Sequence, residues 1–203
     1  LDFIVDRWVL IPRPETDLLV EYALQSVRRL QKQGQRLLLA DIGTGSGAVA
    51  ISLAVNLPTA IVHATEASAE AMEIAALNVA RHGMSSRVHL LFGDLFDPLP
   101  DAVHIIVANL PYIPTGQLAS LMPEVAVYEP RAALDGGEDG LVHIRRLLTH
   151  AEHWLLPSGV VLMEIGFDQG QEVLALAMQR YPAAEVELFQ DYAGLDRVVR
   201  IST

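Results

Sequence analysis

Residues 37–55 place the tightest constraint on the fold. Leu37-Leu38-Leu39-Ala40-Asp41 is a short apolar run closed by an acid. It leads directly into Ile42-Gly43-Thr44-Gly45-Ser46-Gly47, and then into Ala48-Val49-Ala50-Ile51-Ser52-Leu53-Ala54-Val55. This order predicts a buried strand over Leu37–Asp41, a tight glycine turn, and a helix from about Gly47 to Val55. Glycines at alternate positions let the backbone turn sharply and let a ligand approach the main chain closely. The free N–H groups at the start of the helix face the same crevice. In open α/β sheets, ligands bind at the carboxyl ends of strands.

The rest of the chain repeats the alternation of strand and helix, which predicts an α/β protein with a mostly parallel sheet. Leu1 to Ile11 reads as extended. Pro14, followed by Glu15 and Asp17, marks a helix start, and Leu18, Leu19, Tyr22, Ala23 and Val27 carry helical spacing to about Leu30. Further strands are expected over Ala60–Thr65, Val88–Phe92, Val103–Ala108, Gly159–Ile165, Ala184–Phe189 and Arg197–Ile201. Helices are expected over Ser68–His82, Leu141–Trp154 and Gly170–Tyr181. Ser68 serves as an N-cap and Gly83 as a stop. Residues 109–139, punctuated by Pro111, Pro114, Pro123 and Pro130, read as one long functional loop. No repeat or low-complexity linker divides the chain. It reads as one domain, with an N-terminal portion over 1–35 and a sheet and substrate loop over 36–203.

Composition excludes several classes. Half the residues are hydrophobic (51%) and 19% are charged, a balance that supports a packed core rather than disorder. With no cysteine, disulfide frameworks, thiolate metal sites and cysteine nucleophiles are excluded. Net charge is −11, and Arg28-Arg29 and Arg145-Arg146 are isolated basic pairs, so a nucleic-acid partner is disfavoured. No apolar run approaches the roughly 20 residues of a membrane span. The absence of cysteine fits a cytoplasmic protein.

Two further segments join the glycine turn. Glu66 closes the second strand, where an acid accepts hydrogen bonds from both hydroxyls of a ribose. Gly93-Asp94-Leu95 follows the third strand; Asp94 suits an adenine amino group and Leu95 an adenine face. A nucleoside cofactor is expected, held by Asp41, Gly43, Thr44, Gly45, Ser46, Gly47, Glu66, Asp94 and Leu95. Ala48 also completes a G-x-G-x-x-A spacing, which leaves a dinucleotide open at this point.

Asn109-Leu110-Pro111-Tyr112 ends the fourth strand at the same edge. Pro111 biases Leu110 toward an extended conformation, so the Leu110 carbonyl can be held outward beside the Asn109 side-chain carbonyl. Tyr112 supplies a ring for stacking. Two acceptors and a ring suit a planar –NH2 group, either a carboxamide or a base amine. A carboxamide nitrogen is a poor nucleophile because its lone pair is delocalised. Acceptors gripping its hydrogens orient it and favour the positive charge that develops as it attacks a methyl group.

These segments resemble the HemK-type protein-(glutamine-N5) methyltransferases. Ile11-Pro12-Arg13-Pro14-Glu15-Thr16, Asp41 to Gly47, Tyr128 to Leu141, Glu164-Ile165-Gly166, Gln169-Gly170 and Asp191-Tyr192 with Arg197-Val198 all match motifs of that family, in the same order. The resemblance implies a class I S-adenosylmethionine-dependent methyltransferase: a Rossmann-like, seven-stranded, mostly parallel sheet with one antiparallel strand and helices on both faces. It implies S-adenosylmethionine as cofactor, S-adenosylhomocysteine as product, and the Gly-Gly-Gln glutamine of a class I peptide chain release factor as acceptor. It also implies that Asn109 contributes to the cofactor site, and that Asn109, Leu110, Pro111 and Tyr112 hold the glutamine, with Asn109, Pro111 and Tyr112 catalytic. The family's small helical N-terminal domain is not found in this sequence. Leu110 departs from the usual Asn-Pro-Pro-Tyr. Asn-Leu-Pro-Tyr also occurs in adenine methylases, so an RNA or DNA adenine N6-methyltransferase is the alternative.

Other residues read as structural. His150 and His153 share a helical face without further ligands, and no metal is expected. Asp135, Glu138 and Asp139 miss a calcium-loop spacing. Trp8 and Trp154 read as packing residues. Arg13 suits either a pocket role or a clamp on the first helix.

Overall fold

The computed structural model describes residues 1–30 and 36–203. The division expected at residue 35 lies outside the described residues. Seven strands form one sheet: β1 (Leu38–Ile42), β2 (Ile61–Glu66), β3 (Val88–Phe92), β4 (Val103–Ala108), β5 (Leu155–Glu164), β6 (Glu185–Gln190) and β7 (Asp196–Ser202). Their order is β3-β2-β1-β4-β5-β7-β6. Strands β1 to β5 pair in parallel, and β7 runs antiparallel to both β5 and β6. After β1 the chain builds outward through β2 and β3, then returns to place β4 on the other side of β1. The connections leaving β1 and β4 therefore diverge and open a crevice at their carboxyl ends. This is the class I methyltransferase fold that the family resemblance implies.

The helices cover both faces. α1 (Thr16–Leu30), α2 (Ala48–Asn56) and α3 (Ala69–Arg81) lie on one, and α5 (Val142–His150) and α6 (Gly170–Arg180) on the other. Strand residues alternate between the two cores: Ile105 and Val107 join the α1–α2 side, and Ile106 and Ala108 the α5–α6 side. Buried on both faces, the central strands read as continuous apolar runs. On α1, Leu18, Leu19, Ala23 and Val27 form the buried stripe. Each such leucine stabilises the fold by about 1.5–3 kcal/mol.

Three expectations need correction. The α-helix after Leu141 stops at His150 and tightens into a 3-10 turn over Ala151–Trp154, so His150 and His153 do not share one α-helical face. Strand β5 begins at Leu155, earlier than expected, because its pairing with β4 slips at Pro157-Ser158-Gly159. Proline has no N–H for the ladder, and Ser158 takes a positive φ of 63°. The 109–139 segment is also not featureless. It contains two 3-10 turns (Thr115–Ser120 and Arg131–Ala133) and α4 (Pro123–Tyr128), which opens on a proline preset for a first helical turn.

The first residues form an arm along α3. Fully buried Asn78 accepts from the Ile4 N–H (2.7 Å), donates to the Ile4 carbonyl (2.9 Å), and donates to the Ser46 carbonyl in the glycine turn (2.9 Å). Val9 packs on Ala71 and Ile74. One side chain thus ties the arm, α3 and the turn together. Asn78→Ala is expected to lower stability by about 1–3 kcal/mol, since it leaves buried backbone groups unpaired. Hydrogen–deuterium exchange should show Ile4 losing protection first, and unchanged exchange there would refute the clip.

Candidate active site

The glycine turn is built around Asp41. This carboxylate is 1% exposed at the end of β1; its Oδ2 accepts from the Thr44 hydroxyl (2.6 Å) and the Ala50 N–H (3.0 Å). Burial pushes its pKa up to about 6, against the opposing pull of those two hydrogen bonds. The Gly43 and Thr44 N–H groups both donate to the Thr65 carbonyl (3.0 and 2.9 Å), stitching the turn to β2. Gly43, Gly45 and Gly47 have φ of 73°, 55° and 82°, a region that side chains disfavour.

Glu66 closes the second side of the crevice. Its two carboxylate oxygens accept from the Gly45 and Ser68 N–H groups, each at 2.9 Å. The acid is thereby fixed at the end of β2 with lone pairs remaining for a ligand. Farther along, Leu95 is buried with φ of 44°, a strained conformation for leucine that presents its side chain to the cavity. Asp94 lies beside it and pairs with Arg146 on α5.

These groups surround a cavity of about 580 Å³. Of the residues singled out in the sequence, Asp41, Gly43, Thr44, Gly45, Ser46, Glu66, Asp94, Leu95, Asn109, Leu110 and Pro111 line it. Gly47 and Tyr112 stand outside the lining: Gly47 caps α2, and Tyr112 packs against the α5–α6 core. The sequence reading missed the N-terminal arm, whose residues Arg7 to Leu10 and Pro12 form a wall of the cavity. Trp8, expected to be a packing residue, is 41% exposed at this wall, with the Arg7 guanidinium 4.9 Å from its ring. No local signal marks the arm, because it reaches the cavity through the long-range contact with Asn78.

Three elements converge beyond the turn. Asn109 follows β4, Thr16 begins α1, and Glu164 ends β5. Asn109 Nδ2 donates to Thr16 Oγ1 (3.2 Å), and Thr16 Oγ1 donates to Glu164 Oε2 (2.8 Å). The Tyr112 hydroxyl faces Glu164 Oε1 at 3.4 Å. Burial, reinforced by the Glu164 charge, pushes the Tyr112 pKa up to about 12, so the phenol stays protonated. Asn109 lines the cavity, and with Nδ2 bonded to Thr16 its Oδ1 keeps its lone pairs for a ligand.

The block over 128–141 wraps this corner. Arg13 pairs with Glu129, which is buried, so Arg13 clamps the segment before α1 to the block. Gly136 and Gly140 pass so close to the Tyr112 backbone that a Cβ would lie 2.8 Å and 2.3 Å from its carbonyl carbon and oxygen. Gln169, buried at the start of α6, donates to the Tyr112 carbonyl (2.8 Å) and accepts from the Gly166 N–H (2.9 Å).

Known proteins match this arrangement. The model of the methyltransferase small domain matches residues 27–150. A release factor glutamine methyltransferase of Thermosynechococcus vestitus is 44% identical over 206 residues, covering all of this chain and 70% of its own length. One of Moorella thermoacetica is 45% identical over 198 residues, covering 97% of this chain and 68% of its own. Among solved structures, the N-terminal domain of human METTL16 in complex with SAH superposes with a TM-score of 0.68 at 17% identity, covering 100% of this chain and 75% of that one. The chain belongs to the release factor glutamine methyltransferase family.

The turn carries its own test. Gly45→Ala meets open space and carries only the backbone penalty, about 1–2 kcal/mol. Gly43→Ala carries that penalty and also puts a Cβ 2.9 Å from Leu110 Cδ2. Urea denaturation should rank Gly43→Ala as the more destabilising. A double-mutant cycle with Leu110→Ala should show coupling for Gly43 and none for Gly45.

Proposed function

We propose that this member of the release factor glutamine methyltransferase family moves the methyl group of S-adenosylmethionine to the side-chain amide nitrogen of a glutamine, the one in the Gly-Gly-Gln motif of a class I peptide chain release factor, in the cytoplasm. The observation that carries this reading is the Asn109 amide, held through Nδ2 by Thr16, in the lining of the same cavity as the glycine turn and Glu66.

The residues suit the cofactor. Glu66 would receive the ribose hydroxyls, and Leu95 would cover the adenine, with Asp94 beside it. The turn from Asp41 to Gly47 would accommodate the methionine portion, near the Asp41 charge. When bound, the cofactor supplies an electrophilic methyl on a sulfonium. The chain supplies position and electrostatics. Asn109 Oδ1 and the Leu110 carbonyl would grip the two amide hydrogens, Pro111 would hold that carbonyl outward, and Tyr112 would anchor the segment through Glu164 and Gln169. These acceptors favour the positive charge that grows on nitrogen during attack. Directly after transfer the nitrogen would carry the methyl, both hydrogens and a positive charge. That cation is strongly acidic, so one proton passes to water without a strong base and leaves the neutral N-methyl amide. The adenine reading of Asn-Leu-Pro-Tyr lacks comparable support: the net charge is −11, and the full-length relatives carry the glutamine name.

Labelled methyl transfer to a purified class I release factor tests this directly, beside a copy with the Gly-Gly-Gln glutamine changed to Ala. Label should enter the first and not the second. Asn109→Ala should lower kcat by about a hundredfold or more, while calorimetry shows S-adenosylhomocysteine still bound. Unchanged turnover would reject the role of Asn109.

Asp41 gives a pH signature. Its folded pKa lies above the ordinary value, so its contribution to stability in the empty protein is present below about pH 4. That contribution is lost as the pH rises through about 6. A cationic ligand reverses the preference by favouring the charged carboxylate. S-adenosylmethionine should therefore bind more weakly as the pH falls through about 6. S-adenosylhomocysteine, which lacks the sulfonium charge, should weaken less. Calorimetric titrations from pH 5 to 8 would show this difference, and parallel curves would refute it.

A further inference from the structure

We propose that Thr16 and Glu164 are positioning residues that fix the polarity of the Asn109 amide, so that Oδ1 rather than the NH2 group faces the reacting nitrogen. This rests on the reading of Asn109 given above and extends it to two residues that do not touch the methyl group.

An asparagine amide has two ends of almost the same shape and opposite hydrogen-bonding sense. Turned the wrong way, Asn109 would present hydrogens to the hydrogens of a substrate carboxamide. Its orientation is decided by a one-way chain of bonds. While Glu164 is ionised its carboxylate only accepts, so at 2.8 Å from Oε2 the Thr16 hydroxyl gives its hydrogen to the acid. Toward Asn109, 3.2 Å away, Thr16 Oγ1 then has only lone pairs to offer. Asn109 must meet them with Nδ2. The opposite orientation would set Oδ1 against Oγ1 lone pairs with no hydrogen between.

The relay also accounts for a buried carboxylate between two apolar cores. Glu164 is 2% exposed. An isolated charge at such a site is costly and needs compensation. Thr16 and Tyr112 supply hydrogen bonds, and Arg197 supplies an opposite charge; Glu15 opposes it. Among the described residues, Tyr112, Arg197 and Glu15 act electrostatically on Glu164, and Arg197 is itself shared with Asp191 at 3.1 Å. The relay reverses if Glu164 takes up a proton. A protonated acid donates to Thr16 Oγ1, the Thr16 hydrogen is freed toward Asn109, and the amide turns over. Burial shifts Glu164 toward protonation relative to a free carboxyl. The turnover rate should therefore fall on the acid side through this group.

Kinetics of methyl transfer to the release factor by the intact chain test the relay. Thr16→Val keeps the shape and removes the hydroxyl. It should lower kcat about tenfold or more, with the Kd for S-adenosylhomocysteine within about twofold of the parent. Thr16→Ser, which restores the hydroxyl, should recover most of the rate. Glu164→Gln can donate or accept toward Thr16, so polarity is lost: kcat should fall, and its acid limb should flatten. Should Thr16→Val fail to fold by thermal melting, the Thr16→Ser and Glu164→Gln rate profiles still decide. The proposal is overturned if Thr16→Val turns over at the parent rate, if Thr16→Ser is as slow as Thr16→Val, or if Glu164→Gln keeps the parent acid limb. In those cases the parent chain still methylates and the glutamine reading stands. A parent chain that binds S-adenosylhomocysteine but transfers no methyl would overturn both.

Discussion

The buried Asp41 carboxylate is the point from which the carboxyl edge of the sheet is organised. It is the penultimate residue of β1, the strand beside which the sheet order reverses, and it binds forward to Thr44 and to Ala50 inside α2. Those bonds close the glycine turn and fix the start of the helix. The Thr44 and Gly43 amides then reach the Thr65 carbonyl, and Gly45 reaches Glu66, so the end of β2 is set by the same turn. Asn78 holds the outer face of the turn through Ser46 and carries the N-terminal arm with it. A ligand entering the cavity thus meets groups already held, which reduces the ordering that binding requires. Burying an acid is unfavourable, and the raised pKa of Asp41 expresses that penalty.

Much of this was legible because local rules and fold rules agree. The apolar run, the glycine spacing and the following helix each have one interpretation, and the acids at strand ends fall where parallel sheets place ligands. The relay from Asn109 to Glu164 was not legible. Its members are separated by 93 and 148 residues, and each reads locally as something else: Thr16 as part of a helix start, Glu164 as a strand end. The arm is hidden for the same reason, since Val9 and Ile4 carry no periodic signal and depend on α3. The strand expected from Gly159 leaves out Leu155 to Ser158, because Pro157-Ser158-Gly159 interrupts the strand pattern. Pairing with β4 on both sides of it keeps the strand continuous.

The excursion over 109–141 shows how an irregular segment can be fixed without regular structure. Ile113 donates to the Leu134 carbonyl and accepts from Gly136, so the two ends of the excursion pair beside Tyr112. Gly136 and Gly140 allow the approach, and Gln169 closes it from α6. Arg13 and Glu129 tie the same block to the start of α1. Residues 109–113 are therefore held between the starts of two helices and the returning chain. The excursion's exposed apolar side chains, Met122, Val127 and Tyr128, lie on its outward part.

Leu110 shows how a departure from the family motif is accommodated. Proline at that position would fix φ and remove an N–H; leucine does neither. Its side chain instead enters the α5–α6 core, where it is 6% exposed, and it lies against the Gly43 backbone closely enough to leave no room for a Cβ there. Rigidity that a ring would supply through the backbone is supplied here by packing. That exchange ties the segment proposed to hold the substrate amide to the turn proposed to hold the cofactor. A shift of one therefore displaces the other. For a reaction that depends on bringing a weak nucleophile within reach of a methyl group, such coupling preserves the distance that matters most.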